Sequence, residues 1–278
     1  MKSIVSLILF WALQFAVPSA ASADLRLGAT HTLEDSGILK VLVPAFEAAE
    51  RMRVLTLVAG TGQVMKYAEN GDVDVIFTHS RSDEEKLVAK GIGIRRFDVM
   101  YNDFVLAGPP ADPAAIRGMP DAAQAFKRIR GVGARFVSRG DDSGTHKKEL
   151  ALWGFSGGLA KWAGYVSAGQ GAGKTVMMAD ELGAYLLIDR ATLRALHHKH
   201  SLVALSQGDP RLLNEYGVTA IINRAHPAAN SELAGRFVAW LTSDAARKLI
   251  AGYRIDGEQA FFVRKDNYKA VERPAVAK

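Results

Sequence analysis

The sequence predicts an α/β fold in two lobes, each a mostly parallel sheet flanked by helices. Three observations lead there. Short apolar runs alternate with amphipathic segments from Leu25 onward, and brief glycine-rich links join them. A break at Pro109-Pro110 is then followed by a second series of the same kind. Such alternation places strands side by side in parallel, with helices covering both faces of the sheet.

Leu25 to Ala29 reads as the first strand and Thr30 to Ser36 as a polar loop. Leu39, Leu42, Val43 and Phe46 follow at i, i+3, i+4 and i+7, the apolar face of a helix. Val54 to Val58 is a second strand. Gly60-Thr61-Gly62 turns into a helix from Gln63 to Asn70, Gly71 stops it, and Val73 to Thr78 is a third strand. Phe104 to Gly108 is a strand running into Pro109-Pro110, with Pro113 close behind, a natural linker. A helix (Ala122 to Ile129), a strand (Phe136-Val137) and a new helix from Gly144 come next. The chain turns near Leu213 to Tyr216, and Val218 to Asn223 reads as a strand. Leu233, Phe237, Trp240 and Leu241 stripe the last helix, and the tail beyond Lys265 reads as frayed. The expected division is 24–108 with 217–278 for one lobe and 109–216 for the other.

Residues 1–23 carry a different signal. Lys2 supplies one positive charge, Ile4 to Val17 is almost unbroken apolar, and Ala21-Ser22-Ala23 is a small-residue cleavage site. That order is a secretory signal peptide, cut before Asp24 and too short to span a bilayer. Export to a periplasm is the expectation. About 255 residues remain, enough for one large or two modest domains. The chain has no cysteine, which excludes disulfides, Cys-ligated zinc, thiol chemistry and an N-terminal lipid anchor. The formal charge of +6 favours anionic partners, but the Lys and Arg residues are scattered, which with export argues against nucleic acid.

The most specific stretch is Ser138-Arg139-Gly140-Asp141-Asp142-Ser143-Gly144-Thr145-His146-Lys147-Lys148-Glu149. It leaves a strand and opens a helix, where α/β sheets bind ligands beyond their strand ends. Ser143, Gly144 and Thr145 leave helix N-terminal N–H groups bare for an anion, and Arg139 adds a planar fork of donors. The same residues also fit a plain capped loop in which Arg139 pairs with Asp141 or Asp142. Two other strand ends share the polar character: Thr30-His31-Thr32, and Gly60-Thr61-Gly62-Gln63. Together the three describe a ring of neutral donors around a cleft. Ala168-Gly169-Gln170-Gly171-Ala172-Gly173-Lys174-Thr175 mimics a phosphate loop, yet no convincing strand leads into it and no metal-binding partner strand stands out. It reads as a tight turn. His197-His198-Lys199-His200 reads as an incidental solvated tract, and Ser143 with His146 lacks the strained elbow and acid of a hydrolase. No cofactor and no metal site is expected.

These residues resemble a known family: the tungstate-binding proteins of ABC importers, kin of the molybdate and phosphate binders. The likeness runs through Asp35-Ser36-Gly37, Gly60-Thr61-Gly62-Gln63, Gly71 to Val75, Met100 to Val105, Ser138 to Glu149, Ala168 to Gly171, Gly208 to Asn214 and Tyr253 to Gly257. The resemblance implies a two-lobed type II periplasmic-binding-protein fold that closes on an oxyanion, tungstate first and molybdate next. It implies ligand contacts from Arg139 and Thr145 with hydroxyls of the first loop. The family's first loop usually reads Thr-Thr-Thr-Ser; here Ala29-Thr30-His31-Thr32 keeps hydroxyls at 30 and 32 and brings an imidazole to 31.

The expected ligand set is Thr30, His31, Thr32, Thr61 and Gly62 from one lobe, and Arg139, Ser143, Gly144 and Thr145 from the other. The expected protein is a monomer that binds without chemistry and docks on an ABC permease. Alternatives are the same fold holding sulfate or phosphate, a ligand-sensing partner of a membrane receptor, or a periplasmic hydrolase.

Overall fold

A computed structural model describes residues 24–222 and 227–263. The signal segment and the tail beyond Lys265 lie outside the described residues. The chain opens with β1 (Leu25–Thr30), α1 (His31–Asp35) and α2 (Leu39–Glu50), then β2 (Val54–Ala59), α3 (Thr61–Asn70), β3 (Val75–Thr78) and α4 (Arg81–Ala89). The strand β4 (Gly93–Gly108) leads to α5 (Ala122–Gly131), β5 (Phe136–Ser138), α6 (Gly144–Phe155), β6 (Tyr165–Ser167) and α7 (Ala172–Glu181). There follow β7 (Leu186–Asp189), α8 (Arg190–Ala195), β8 (Val203–Ser206) and β9 (Leu213–Ile221). The helices α9 (Pro227–Leu241) and α10 (Asp244–Gly252) and a small hairpin, β10 (Arg254–Ile255) with β11 (Glu258–Gln259), complete it.

Two lobes result. In the first, β2, β1 and β3 run parallel in that order, and β9 joins β3 antiparallel. β1 lies between two strands under helices on both faces, which is why its burial is nearly continuous rather than alternating. In the second lobe β5 pairs in parallel with β6, and Val137 N–H donates to the Tyr185 carbonyl at 2.8 Å. The two lobes share β4. From Gly93 to Asp103 it pairs antiparallel with β9, and from Phe104 to Gly108 it pairs antiparallel with β7 and β8. The parallel cores are therefore stitched together by antiparallel crossing strands.

Each lobe has its own core. Leu25, Leu27, Phe46, Phe77, Val218 and Phe237 pack in the first, and Phe126, Phe136, Trp153 and Tyr185 in the second. In the second, Phe126 and Trp153 meet edge to face with centroids 4.5 Å apart.

Three elements differ from the sequence reading. The stretch Thr30 to Ser36, read as a loop, holds the short helix His31–Asp35, because Leu33 has a core site to fill and turns the chain inward. β4 begins eleven residues before Phe104, and β9 includes Leu213 to Tyr216, read as a turn. Both were hidden by polar residues on strands: Arg96 pairs with Glu84 and Asp98, and Asn214 is buried but hydrogen-bonded. Ladder partners and ion pairs, not apolar alternation, hold these segments extended.

Phe46 is fully buried between Phe237 (centroids 4.9 Å apart) and Trp240 (5.6 Å). Phe46→Ala empties that slot, and urea unfolding should report a loss of about 3–5 kcal/mol. A loss below about 1 kcal/mol would show that the first core closes over the cavity.

Candidate functional site

Five strand-to-helix turns meet where the lobes face one another. The first lobe brings the ends of β1, β2 and β3; the second brings the turns after β5 and β6. The faces are in contact. Gly144 N–H at the start of α6 donates to Thr61 Oγ1 at 2.9 Å, and Gly173 N–H in α7 donates to Asp35 Oδ2 at 3.0 Å. Lys147 pairs with Asp83 across the gap. Gly144 lies against the His79 ring, where a Cβ would come within 2.8 Å of Cε1, so only glycine permits this approach.

The turn after β5 is built around Arg139, 2% exposed. Gly140 (φ 60°) and Asp142 (φ 57°) are left-handed and fold the segment back on itself. Arg139 Nε donates to the Gln170 carbonyl at 2.8 Å, and Nη2 pairs with Asp141. Burial alone would push the Asp141 carboxyl up, but the Arg139 charge and bonds from Ser143 hold it below the usual range. Ser143 caps α6, its Oγ accepting from His146 N–H at 3.2 Å. Arg139 Nη1 and Thr145 Oγ1 are buried without a hydrogen-bond partner, as is Ser138 Oγ at the end of β5. Leaving such groups unmet costs about 1–3 kcal/mol each.

Opposite stands a chain of buried polar side chains. Thr30 Oγ1 lies 2.9 Å from Thr32 Oγ1, and Thr32 Oγ1 lies 2.9 Å from His79 Nε2. His79 Nδ1 meets Asn214 Oδ1 at 3.0 Å. Burial, reinforced by the Arg139 charge, pushes the His79 imidazole down to about 3, so it is neutral. Its turn is fixed by Glu84, which accepts from Thr78 Oγ1 at 2.5 Å and from Ser80 N–H at 2.9 Å.

A family model for a PBP superfamily domain matches residues 16–245. The chain belongs to the PBP superfamily. Within it, the chain is 40% identical over 235 residues to the tungstate-binding protein TupA of Peptoclostridium acidaminophilum, covering 84% of this chain and 82% of that protein. It is similar to the crystal structure of the tungstate ABC transporter from Geobacter sulfurreducens, with 45% identity, a TM-score of 0.77, and coverage of 83% of this chain and 98% of that one. Tungstate-binding TupA from Desulfovibrio alaskensis G20 superposes with a TM-score of 0.72 at 38% identity, over 86% of this chain and 98% of that one. The architecture of these PBP superfamily members is the type II fold described above.

Of the candidate residues, Thr30, Thr32, Thr61, Arg139, Ser143, Gly144 and Thr145 are buried at this junction. His31 is half-buried and turns its ring toward Gly171 of the second lobe, while Gly62 faces the Asp142 carboxylate. His79 and Asn214 escaped the sequence reading. A signal was available for His79, which lies in the strand-to-helix turn after β3 as Thr61 lies in the one after β2. The phosphate-loop mimic does have a short strand, β6, ahead of it. Its helix terminus is nonetheless taken: the Asp35 carboxylate occupies the Gly173 N–H. Thr175 Oγ1 turns back to the Gln170 and Gly171 carbonyls, and Lys174 is exposed. In the histidine tract, His197 meets Asp256 and His200 meets the Leu193 carbonyl. Among the described residues no cluster suits a metal.

Beneath the Arg139 turn, Glu149 Oε1 accepts from Tyr165 OH at 2.9 Å and Trp153 Nε1 at 3.2 Å. Burial pushes its carboxyl up to about 7 despite these donors. Between the unfolded value of about 4.3 and pH 7 the folded chain thus keeps a proton that the unfolded chain has lost. Stability therefore falls as pH rises through that window and levels off above it, by on the order of 2–3 kcal/mol from this group. Glu149→Gln keeps the acceptor and removes the charge. Urea unfolding at pH 5 and pH 8 should show a drop smaller than wild type by that amount. Equal drops in the two proteins would mean that Glu149 is ionised in the fold.

Proposed function

We propose that this chain is a periplasmic solute-binding protein that closes on a tetrahedral oxyanion and presents it to an ABC permease. Tungstate is the first candidate, since relatives at 38–45% identity are described by it; molybdate, of the same shape and charge, is the second. The reading rests above all on one observation: Arg139 Nη1 and Thr145 Oγ1 are buried donors with no partner. An anion with several acceptor oxygens satisfies both. The N-terminus of α6 adds only its dipole, because the Ser143 and Gly144 N–H groups expected to be bare donate to Asp141 and Thr61. Asp141 offsets much of the Arg139 charge, so the anion is held by aimed donors more than by net charge.

In this reading Thr30, Thr32, Thr61, Arg139, Ser143, Gly144 and Thr145 line the closed site, and His31 and Gly62 meet the opposite lobe. Residues 24–108 with 217–278 and residues 109–216 move as units about β4 and β9, with the anion favouring the closed state. Residues 1–23 direct export and are removed before Asp24. The mature chain acts as a monomer, uses no cofactor and transforms nothing.

Calorimetric titration with tungstate, molybdate, sulfate and phosphate tests the reading. Arg139→Glu should abolish binding, with thermal unfolding and circular dichroism run alongside to separate loss of the donors from loss of the fold. Arg139→Lys should bind roughly 10–100-fold more weakly, because a point charge cannot reproduce the fork. If none of the four anions binds wild type, or the glutamate variant binds as wild type does, the reading fails.

A further inference from the structure

The direction of every hydrogen bond in the buried chain behind the first loop is fixed from its far end. Asp189 Oδ1 accepts from Thr192 N–H at 2.9 Å, capping α8, so it stays an acceptor. The atom of Asn102 that faces it, at 3.3 Å, is therefore the amide nitrogen Nδ2. Asn102 Oδ1 then accepts from Asn214 Nδ2 at 2.8 Å, and the same nitrogen lies 3.0 Å from Tyr216 OH. With its nitrogen so engaged, Asn214 turns Oδ1 to His79, and His79 Nδ1 must carry the proton. A neutral imidazole protonated there has a bare lone pair on Nε2. The hydrogen between Nε2 and Thr32 Oγ1 is consequently the threonine's own. Thr30 in turn is the donor to Thr32, whose single hydrogen is already committed.

We propose that His79 is a positioning residue that takes up the Thr32 hydroxyl hydrogen, so that Thr30, whose own hydrogen swings from Thr32 Oγ1 to the ligand, is the one first-loop hydroxyl that donates to a bound oxyanion. The assignment rests on the oxyanion reading of this site and refines it. Toward a ligand, Thr32 offers an oxygen lone pair. Tungstate, molybdate and sulfate carry no proton at neutral pH and gain nothing from it. The first loop thus has one donor where its composition suggests two. The charged groups that face His79 keep it in this state: Arg139 and Lys148 oppose a second ring proton, against the weaker pull of Asp141. The rings of Tyr216, 5.1 Å away, and Phe104, 6.1 Å away, hold its plane.

Two measurements test this. Nitrogen-15 NMR of histidine-labelled wild-type protein between pH 6 and 8, without and with tungstate, should show His79 neutral and protonated on Nδ1 throughout. In parallel, Thr30→Val should weaken tungstate binding tenfold or more. Thr32→Val, which removes the present acceptor of the Thr30 hydroxyl, should weaken tungstate binding clearly less than Thr30→Val does. A proton on Nε2 in the tungstate-bound protein, or equal losses in the two valine variants, overturns the role given to His79 and leaves the oxyanion reading standing. Failure of wild type to bind any of the four anions overturns that reading and this assignment together, while the ligand-free spectrum still reports which ring nitrogen carries the proton.

Discussion

Burying the guanidinium of Arg139 is the constraint around which the second lobe is arranged. A charge removed from water must be paired and hydrogen-bonded or it destabilises the fold by several kcal/mol. Asp141 supplies the opposite charge and the Gln170 carbonyl a further acceptor, from a turn that reaches over from β6. Bringing Asp141 back onto its own neighbour requires the left-handed residues Gly140 and Asp142. The same carboxylate takes the Ser143 N–H at 3.2 Å and so sets the start of α6. Glu149, further along α6, has its carboxyl pushed up by burial to about 7 and takes its hydrogen bonds from Tyr165 and Trp153, leaving Asp141 as the carboxylate paired with the guanidinium. Among the groups still without partners are one guanidinium nitrogen and the Thr145 hydroxyl, beside the Gly144 contact with the other lobe.

The first lobe answers with neutral groups. Thr30, Thr32 and His79 carry no charge, and their orientation is inherited from Asn102 on β4, the strand both lobes share, and Asn214 on its neighbour β9. The line of bonds ends at Asp189, the residue of β7 that pairs with Phe104 where β4 passes from one lobe to the other. The arrangement of hydroxyls at the cleft is thereby tied to the crossing strands, not only to the loop that bears them.

Much of this was legible in the residues. The strand-helix alternation, the Gly60 turn and the Ser138 to Glu149 block locate most of the cleft, because glycine, hydroxyl and arginine at strand ends have few other uses in combination. The two readings of that block turn out to be compatible: Asp141 does pair with Arg139 and Ser143 does cap the helix, yet one guanidinium nitrogen stays unmatched. The illegible parts share one cause. His79, Asn102 and Asn214 act through partners distant in sequence, and Arg96 sits on a strand only because Glu84 and Asp98 neutralise it. Pairings of that range leave no periodicity to read.

Arg139, Thr145, Thr61 and Thr30 are each no more than 2% exposed, and the contacts of Thr61 with Gly144, Asp35 with Gly173 and Asp83 with Lys147 lie across the lobes. An ion held among them would be shielded from bulk water while those contacts stand. Its residence time is then set by how often the lobes part, because exchange is gated by opening. Tightness and speed of delivery become separate quantities. A partner that draws Lys147 away from Asp83 would hasten release without touching a single bond to the cargo.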